Sequence, residues 1–171
     1  MNKGVTAFSV FLMGLLIPLL FAPRIKMLSD GKVMWDLAGY MGTEGRLDMP
    51  YPRMGYTVKG ADGKVYSKYG LGWSIALLPA AIIYRLVEIQ GLDRGITEVY
   101  ERLLVTLTPA VVSGLTVLMI YLSLLELGLT MKRSLTFALS ALLSSPLLVY
   151  SRDLYSEAFQ TMILAMFLYW I

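Results

Sequence analysis

The 171-residue chain has no cysteine and no histidine. The missing cysteine removes disulfides and thiol chemistry. The missing histidine excludes imidazole zinc sites and Ser-His triads. Acid–base work therefore falls to Asp, Glu, Lys or Tyr. Charge is sparse as well: charged residues make up 16% of the chain, against about 25% in an ordinary soluble domain. The net charge is only +3 and no Lys/Arg stripe is present, so nothing points to nucleic acid. No internal repeat or low-complexity tract interrupts the sequence.

Apolar residues are abundant, at 57%, and they come in blocks. The blocks cover residues 5–22, 71–87, 103–125, 135–150 and 158–171. A hydrocarbon core of about 30 Å takes about 20 helical residues to cross. The first and third blocks are long enough; the second and fourth cross only with flanking residues or local thinning. Lipid offers no water to backbone N–H and C=O groups, so spanning segments must be helices. The expected fold is all-α: one polytopic transmembrane module over residues 1–171, with four to five spans. Lys3 supplies a charged leader, but the first block is long and Phe21-Ala22-Pro23-Arg24 is a poor cleavage site. The block is read as an uncleaved span that ends at Pro23-Arg24. The chain stops inside an apolar run at Tyr169-Trp170-Ile171, which reads as the front part of a longer protein.

The first loop, residues 23–70, holds most of the polar chemistry. Val33, Leu37, Tyr40 and Met41 recur at helical spacing, with Lys32 and Asp36 off that face. This predicts a short amphipathic helix lying at the membrane interface, ended by Gly42 and Gly45. Residues 56–59 and 64–67 flank Gly60-Ala61-Asp62-Gly63, the pattern of a small β-hairpin. Tyr69 and Trp73 suit an interface belt where the second span opens. Residues 85–102 read as a polar connector, Met131-Lys132-Arg133 as a tight turn, and residues 150–157 as a polar island.

Charge conflicts with orientation. The first loop carries eight cations and five acids, which by the positive-inside rule places it in the cytoplasm. Lys132 and Arg133 are also a cytoplasmic signature.

Several segments together resemble a known group of enzymes. They are Leu28-Ser29-Asp30-Gly31-Lys32-Val33-Met34-Trp35-Asp36-Leu37-Ala38, the return through Asp62-Gly63-Lys64-Val65-Tyr66-Ser67-Lys68-Tyr69-Gly70-Leu71-Gly72-Trp73, and Ser144-Ser145-Pro146-Leu147-Leu148-Val149-Tyr150-Ser151-Arg152 with Glu157 beyond. The chain is similar to the N-terminal part of GT-C-type membrane glycosyltransferases, such as the protein O-mannosyltransferases and the lipid A aminoarabinose transferases. That resemblance implies an outward first loop, an inner-membrane location and a polyprenyl-phosphate-linked sugar donor. It also implies transfer to a hydroxyl or amine acceptor with inversion. Asp30 takes the place of the catalytic acid. Lys68 and Arg152 take the places of the cations near the donor phosphate, and Glu157 that of a second polar residue. Tyr66 and Tyr69 become candidates to stack on sugar or lipid. Missing C-terminal helices or a partner subunit would complete the acceptor site. The family often has two adjacent acids where this chain has Asp30-Gly31.

The physics of this reading is coherent. A carboxylate at a partly desolvated membrane edge has a raised pKa and suits a base. Fixed cations would stabilise a departing phosphate and account for the basic loop. Simple alternation of spans, however, puts Asp30 and Glu157 on opposite faces, so one segment must be re-entrant.

Each residue also has a plainer reading. Asp30 suits an N-cap, Asp36 faces water, and Asp48 is a solvated loop acid. Lys68 snorkels to the headgroups, and Tyr51, Tyr56, Tyr66, Tyr69 and Trp73 anchor at the interface. Arg152, Asp153 and Glu157 cap helix ends or pair with one another. A divalent ion is compatible with Asp30 and Glu157, but two carboxylates without fixed spacing argue weakly for one. The rival class is a non-enzymatic membrane protein, a transporter fragment or a helix-packing subunit. Gly114 with Thr106, Thr108, Ser113 and Thr116 would give it a packing surface.

Overall fold

The computed structural model describes residues 3–21, 30–152 and 154–171. The expected end of the first span at Pro23-Arg24, and Asp153, lie outside the described residues. The chain is mostly helical. Its elements are α1 (Lys3–Leu20), α2 (Asp30–Glu44), β1 (Asp48–Met49), β2 (Thr57–Lys59), β3 (Val65–Ser67), α3 (Leu71–Ile89), α4 (Arg94–Glu126), α5 (Met131–Leu143), α6 (Leu147–Tyr150) and α7 (Ser156–Trp170). Two of them, α3 and α4, are long and apolar enough to cross a membrane.

The residues fall into two compact units. One contains Met1–Arg24 and Thr106–Ile171; the other is Ile25–Val105. Helix α4 gives its first turns to the second unit and the remainder to the first.

In the first unit, α1 lies against α4. A side chain at Gly14 would stand 2.9 Å from Val117 Cβ, and one at Gly114 would stand 2.9 Å from the Phe11 carbonyl oxygen. Only glycines admit this approach. The core is apolar, with Val10, Val117, Tyr121, Ala138, Leu142 and Leu147 buried together. Gly128, at φ +84°, ends α4: its N–H reaches the Leu125 carbonyl, and that of Leu129 reaches Leu124. This is the Schellman pattern, which needs a left-handed residue. The Thr130 side chain then accepts from the Arg133 N–H and starts α5.

The run at residues 135–150 is not one helix. Ser144, Ser145 and Pro146 break it between α5 and α6. Proline lacks an N–H and clashes with the preceding turn, while both serines donate back to carbonyls four residues earlier. The expected connector at residues 85–102 is also largely helical: α3 runs on to Ile89 and α4 already begins at Arg94.

In the second unit, β3 is the centre of a three-stranded antiparallel sheet of order β1-β3-β2. Thr57, Val58 and Lys59 face Ser67, Tyr66 and Val65. Gly60 and Lys64 close the hairpin, and Gly63 adopts φ +80°. This is a three-residue loop with its last residue left-handed. The two-residue β1 adds on the other side of β3. The sheet packs on α2 through Val33, Leu37 and Met49, with Tyr56, Val65 and Tyr69 around them. The opposite side of α2 packs on α3, where Trp35 meets Tyr84 with ring centroids 5.9 Å apart. Helix α2 is therefore covered on two faces and is not the one-sided interfacial helix its periodicity predicts. It also runs through Gly42 and ends before Gly45. Trp73, expected in an interface belt, is buried at 2% exposure.

Candidate functional site

Asp30 is the first residue of α2, and its Oδ1 accepts from the Gly31 N–H at 3.0 Å. Tyr69 stands close enough for its hydroxyl to feel that carboxylate. Its pKa is raised above the usual 10.0, first by burial and then by the Asp30 charge. The neighbouring Lys68 ammonium lies over two rings, 5.5 Å from the Tyr56 centroid and 5.4 Å from that of Tyr69. A carboxylate, a cation and a phenol thus share one corner of the second unit, next to the start of α3.

Tyr66 has a local job. Its hydroxyl donates to Asp62 Oδ2 at 2.6 Å across the hairpin turn. That bond, with the Lys64 N–H, holds the Asp62 carboxyl below its usual 3.8.

Arg152 and Glu157 belong to the first unit. The Arg152 Nε is buried and has no hydrogen-bond partner among the described residues. Glu157 sits in the first turn of α7, where the helix dipole favours a carboxylate. It is exposed and accepts from the Ser156 hydroxyl at 3.4 Å. Among the described residues no three metal-capable side chains gather.

A second polar cluster was not foreseen. Asp36, read from sequence as facing water, is 5% exposed. Its Oδ1 pairs with Lys32 at 2.9 Å, and its Oδ2 meets Arg53 at 2.8 Å and the Tyr51 hydroxyl at 3.3 Å. Lys32 also reaches Glu101 at 3.3 Å. Burial acts most strongly on Lys32 and disfavours its charge, but Asp36 and Glu101 together outweigh it and hold the pKa above 10.5. The Tyr40 pKa is raised as well, by burial and then by the Tyr51 hydrogen bond.

Arg85 of α3 extends over the Tyr40 ring at 5.5 Å and pairs with Glu88 at 2.7 Å. It crosses α2 at Gly39, where an added Cβ would lie 3.1 Å from its Nε. A polar cavity of about 210 Å³ opens among Lys32, Asp36, Tyr40, Tyr51, Tyr84 and Arg85. The missed signal was the second face of α2. Trp35, Gly39 and Gly42 follow helical spacing and let α3 approach closely.

The surface assigned to a partner helix is partly occupied within the chain. Gly114 meets Phe11 of α1, and Ser113 and Thr116 are fully buried. No family model, curated protein or solved structure matches this chain, so any functional reading rests on its own residues.

Proposed function

We propose that the chain is a multi-pass protein of the plasma (inner) membrane and works as a glycosyltransferase module. It takes a sugar from a polyprenyl-phosphate carrier and passes it to an acceptor on the outer face. The observation that carries this reading is the corner shared by Asp30, Lys68 and Tyr69 beside the first turn of α3.

In this reading the acceptor hydroxyl or amine gives its proton to the Asp30 carboxylate. Its heteroatom bonds to the anomeric carbon as the bond from that carbon to the phosphate oxygen breaks on the opposite face, which inverts the centre. The electron pair leaves with the lipid phosphate. Lys68 compensates the charge that develops there, and Tyr69 offers a ring face and a hydroxyl to the sugar. Arg152, whose Nε has no hydrogen-bond partner among the described residues, lies in the first unit and stays a candidate phosphate ligand on the resemblance alone. Glu157 is the second polar candidate, and the surrounding membrane lipids hold the polyprenyl tail.

The test is sugar transfer in membranes that contain the protein, using radiolabelled polyprenyl-phosphate sugar. Positioned general bases contribute about 10²–10⁴-fold. Asp30→Asn is expected to lower transfer by at least about 100-fold with membrane abundance unchanged. Transfer retained at the wild-type rate rejects Asp30 as the base.

A further inference from the structure

We infer that α3, although long and apolar enough to cross, lies along the membrane surface with one apolar face in the lipid. The inference deepens the reading above, because it fixes which side of the membrane each polar segment occupies.

The geometry of the second unit carries it. Helix α3 is 19 residues long, about 28 Å at 1.5 Å per residue. Its contacts with α2 fall in the middle: Gly42 lies against Leu78 and Ile82, and Trp35 against Tyr84. These positions stand about 10–20 Å along the axis from Leu71. If α3 crossed, α2 would sit at the bilayer midplane. The sheet packed on α2 would be there too, with both of its outer strands, β1 and β2, unpaired on one side among the described residues. Open sheet edges do not occur in hydrocarbon, where nothing satisfies their backbone groups. The same placement would take Lys32, Asp36, Arg53, Arg85 and Glu101 to membrane depth, where charges are costly.

The surface of α3 agrees. Trp73, Ser74, Leu77, Ala80 and Ala81 are buried, while Leu71, Ile75, Ile83, Leu86 and Ile89 form an exposed apolar stripe. A helix with one face on protein and the other apolar can rest in the interface.

Charge agrees independently. With α3 out of the count, α1, α4 and the α5–α6 stretch cross in turn. Lys132 and Arg133 then emerge on the same side as Lys3, as the positive-inside rule requires. The stretch Ile25–Val105 becomes a single folded segment, longer than the roughly 60 residues over which that rule is counted. Its seven early cations then no longer oppose an outward position. The alternation that set Asp30 and Glu157 on opposite faces disappears with the extra crossing. The part of α4 after Val105, Thr106–Glu126, spans about 30 Å, the thickness of the hydrocarbon core.

The absence of native cysteine makes the test direct. Single cysteines are placed in the full protein at Ala61 in the hairpin turn, at Gln90 and Leu92 after α3, and at Leu127 after α4. All four positions are exposed. Intact cells are treated with a membrane-impermeant maleimide, then lysed and relabelled. The expected result is that Ala61, Gln90 and Leu92 label in intact cells and Leu127 labels only after lysis. If Gln90 and Leu92 fall on the opposite side of the membrane from Ala61, labelling only after lysis while Ala61 labels in intact cells, α3 crosses and the inference is overturned. The readout is separate from catalysis. Loss of the Asp30 assignment leaves it intact, and a crossing α3 leaves the Asp30→Asn result intact.

Discussion

Helices α3 and α4 pass the same test of length and apolarity, yet their neighbours differ. Beyond Val105, α4 is packed by α1 across Gly14 and Gly114 and joins the apolar cluster of Val10, Val117, Tyr121, Ala138, Leu142 and Leu147. Helix α3 is packed by α2, whose buried face carries a carboxylate held by Lys32 and Arg53 and backed by an open sheet. Hydropathy describes the helix itself. Whether it enters lipid depends also on what it brings along. A cluster of paired ions and a sheet edge can stay at a surface, whereas an apolar helix pair is at home in hydrocarbon.

The strongest way to break this contrast is to remove its polar centre. Asp36→Ala leaves the Lys32 and Arg53 charges partly buried and without their carboxylate. Breaking a buried pair by deleting one partner typically costs about 3–5 kcal/mol. The second unit is expected to lose stability near the lower end of that range, because both cations keep some solvent contact. Tryptophan fluorescence during thermal unfolding reads this directly. Trp35 and Trp73 both lie in the second unit, so a Trp170→Phe background confines the signal to it.

A smaller effect comes from closing the helix approaches. Gly114→Ala would push a methyl onto the Phe11 backbone oxygen, which cannot move without shifting α1. Overpacking of this kind costs about 1–3 kcal/mol. Gly42→Ala meets instead the end of the Ile82 side chain, which can rotate, so its cost is expected to be smaller. Melting temperatures of the two variants in the same detergent give the ranking, and equal losses would show that the two interfaces are equally unforgiving.

The smallest effects are pH-dependent. The folded Lys32 pKa lies above 10.5, so its contribution is complete below pH 10.5 and is lost as pH rises through the higher folded value. Resistance of the second unit to limited proteolysis is expected to fall in that alkaline window, and Lys32→Met is expected to lack this step. Asp62 has the opposite sign. Its carboxyl is held below 3.8, so its support for the hairpin is present above pH 3.8 and is lost as pH falls through the lower folded value. The Tyr66 ring resonances report this, and Tyr66→Phe is expected to weaken the acid transition.

Much of the helical layout was legible because long apolar blocks and Gly/Pro punctuation act locally. The strand pair around Gly60–Gly63 followed from turn chemistry in the same way. What the sequence concealed was how α2 is covered. A single-face reading of Val33, Leu37, Tyr40 and Met41 sends Asp36 to water. With the sheet on one side and α3 on the other, Asp36 is instead enclosed. Strand β1 was hidden by its length of two residues, since no periodicity develops over so short a segment. Of the candidate site, Asp30 and Lys68 were assigned through the family resemblance; in the fold Asp30 opens α2 and Lys68 and Tyr69 stand just before α3. The ion cluster around Asp36 joins residues as distant as Lys32 and Glu101, and only tertiary packing brings these together.

Depth profiling of α3 tests the central contrast most directly. Nitroxide labels are placed one at a time at Leu71, Ile75, Ile83 and Leu86 in lipid bilayers, and oxygen is compared with a polar relaxant at each site. The account predicts one shallow depth at all four positions. A profile that deepens steadily from Leu71 toward the middle of the helix and shallows again past Leu86 would contradict it.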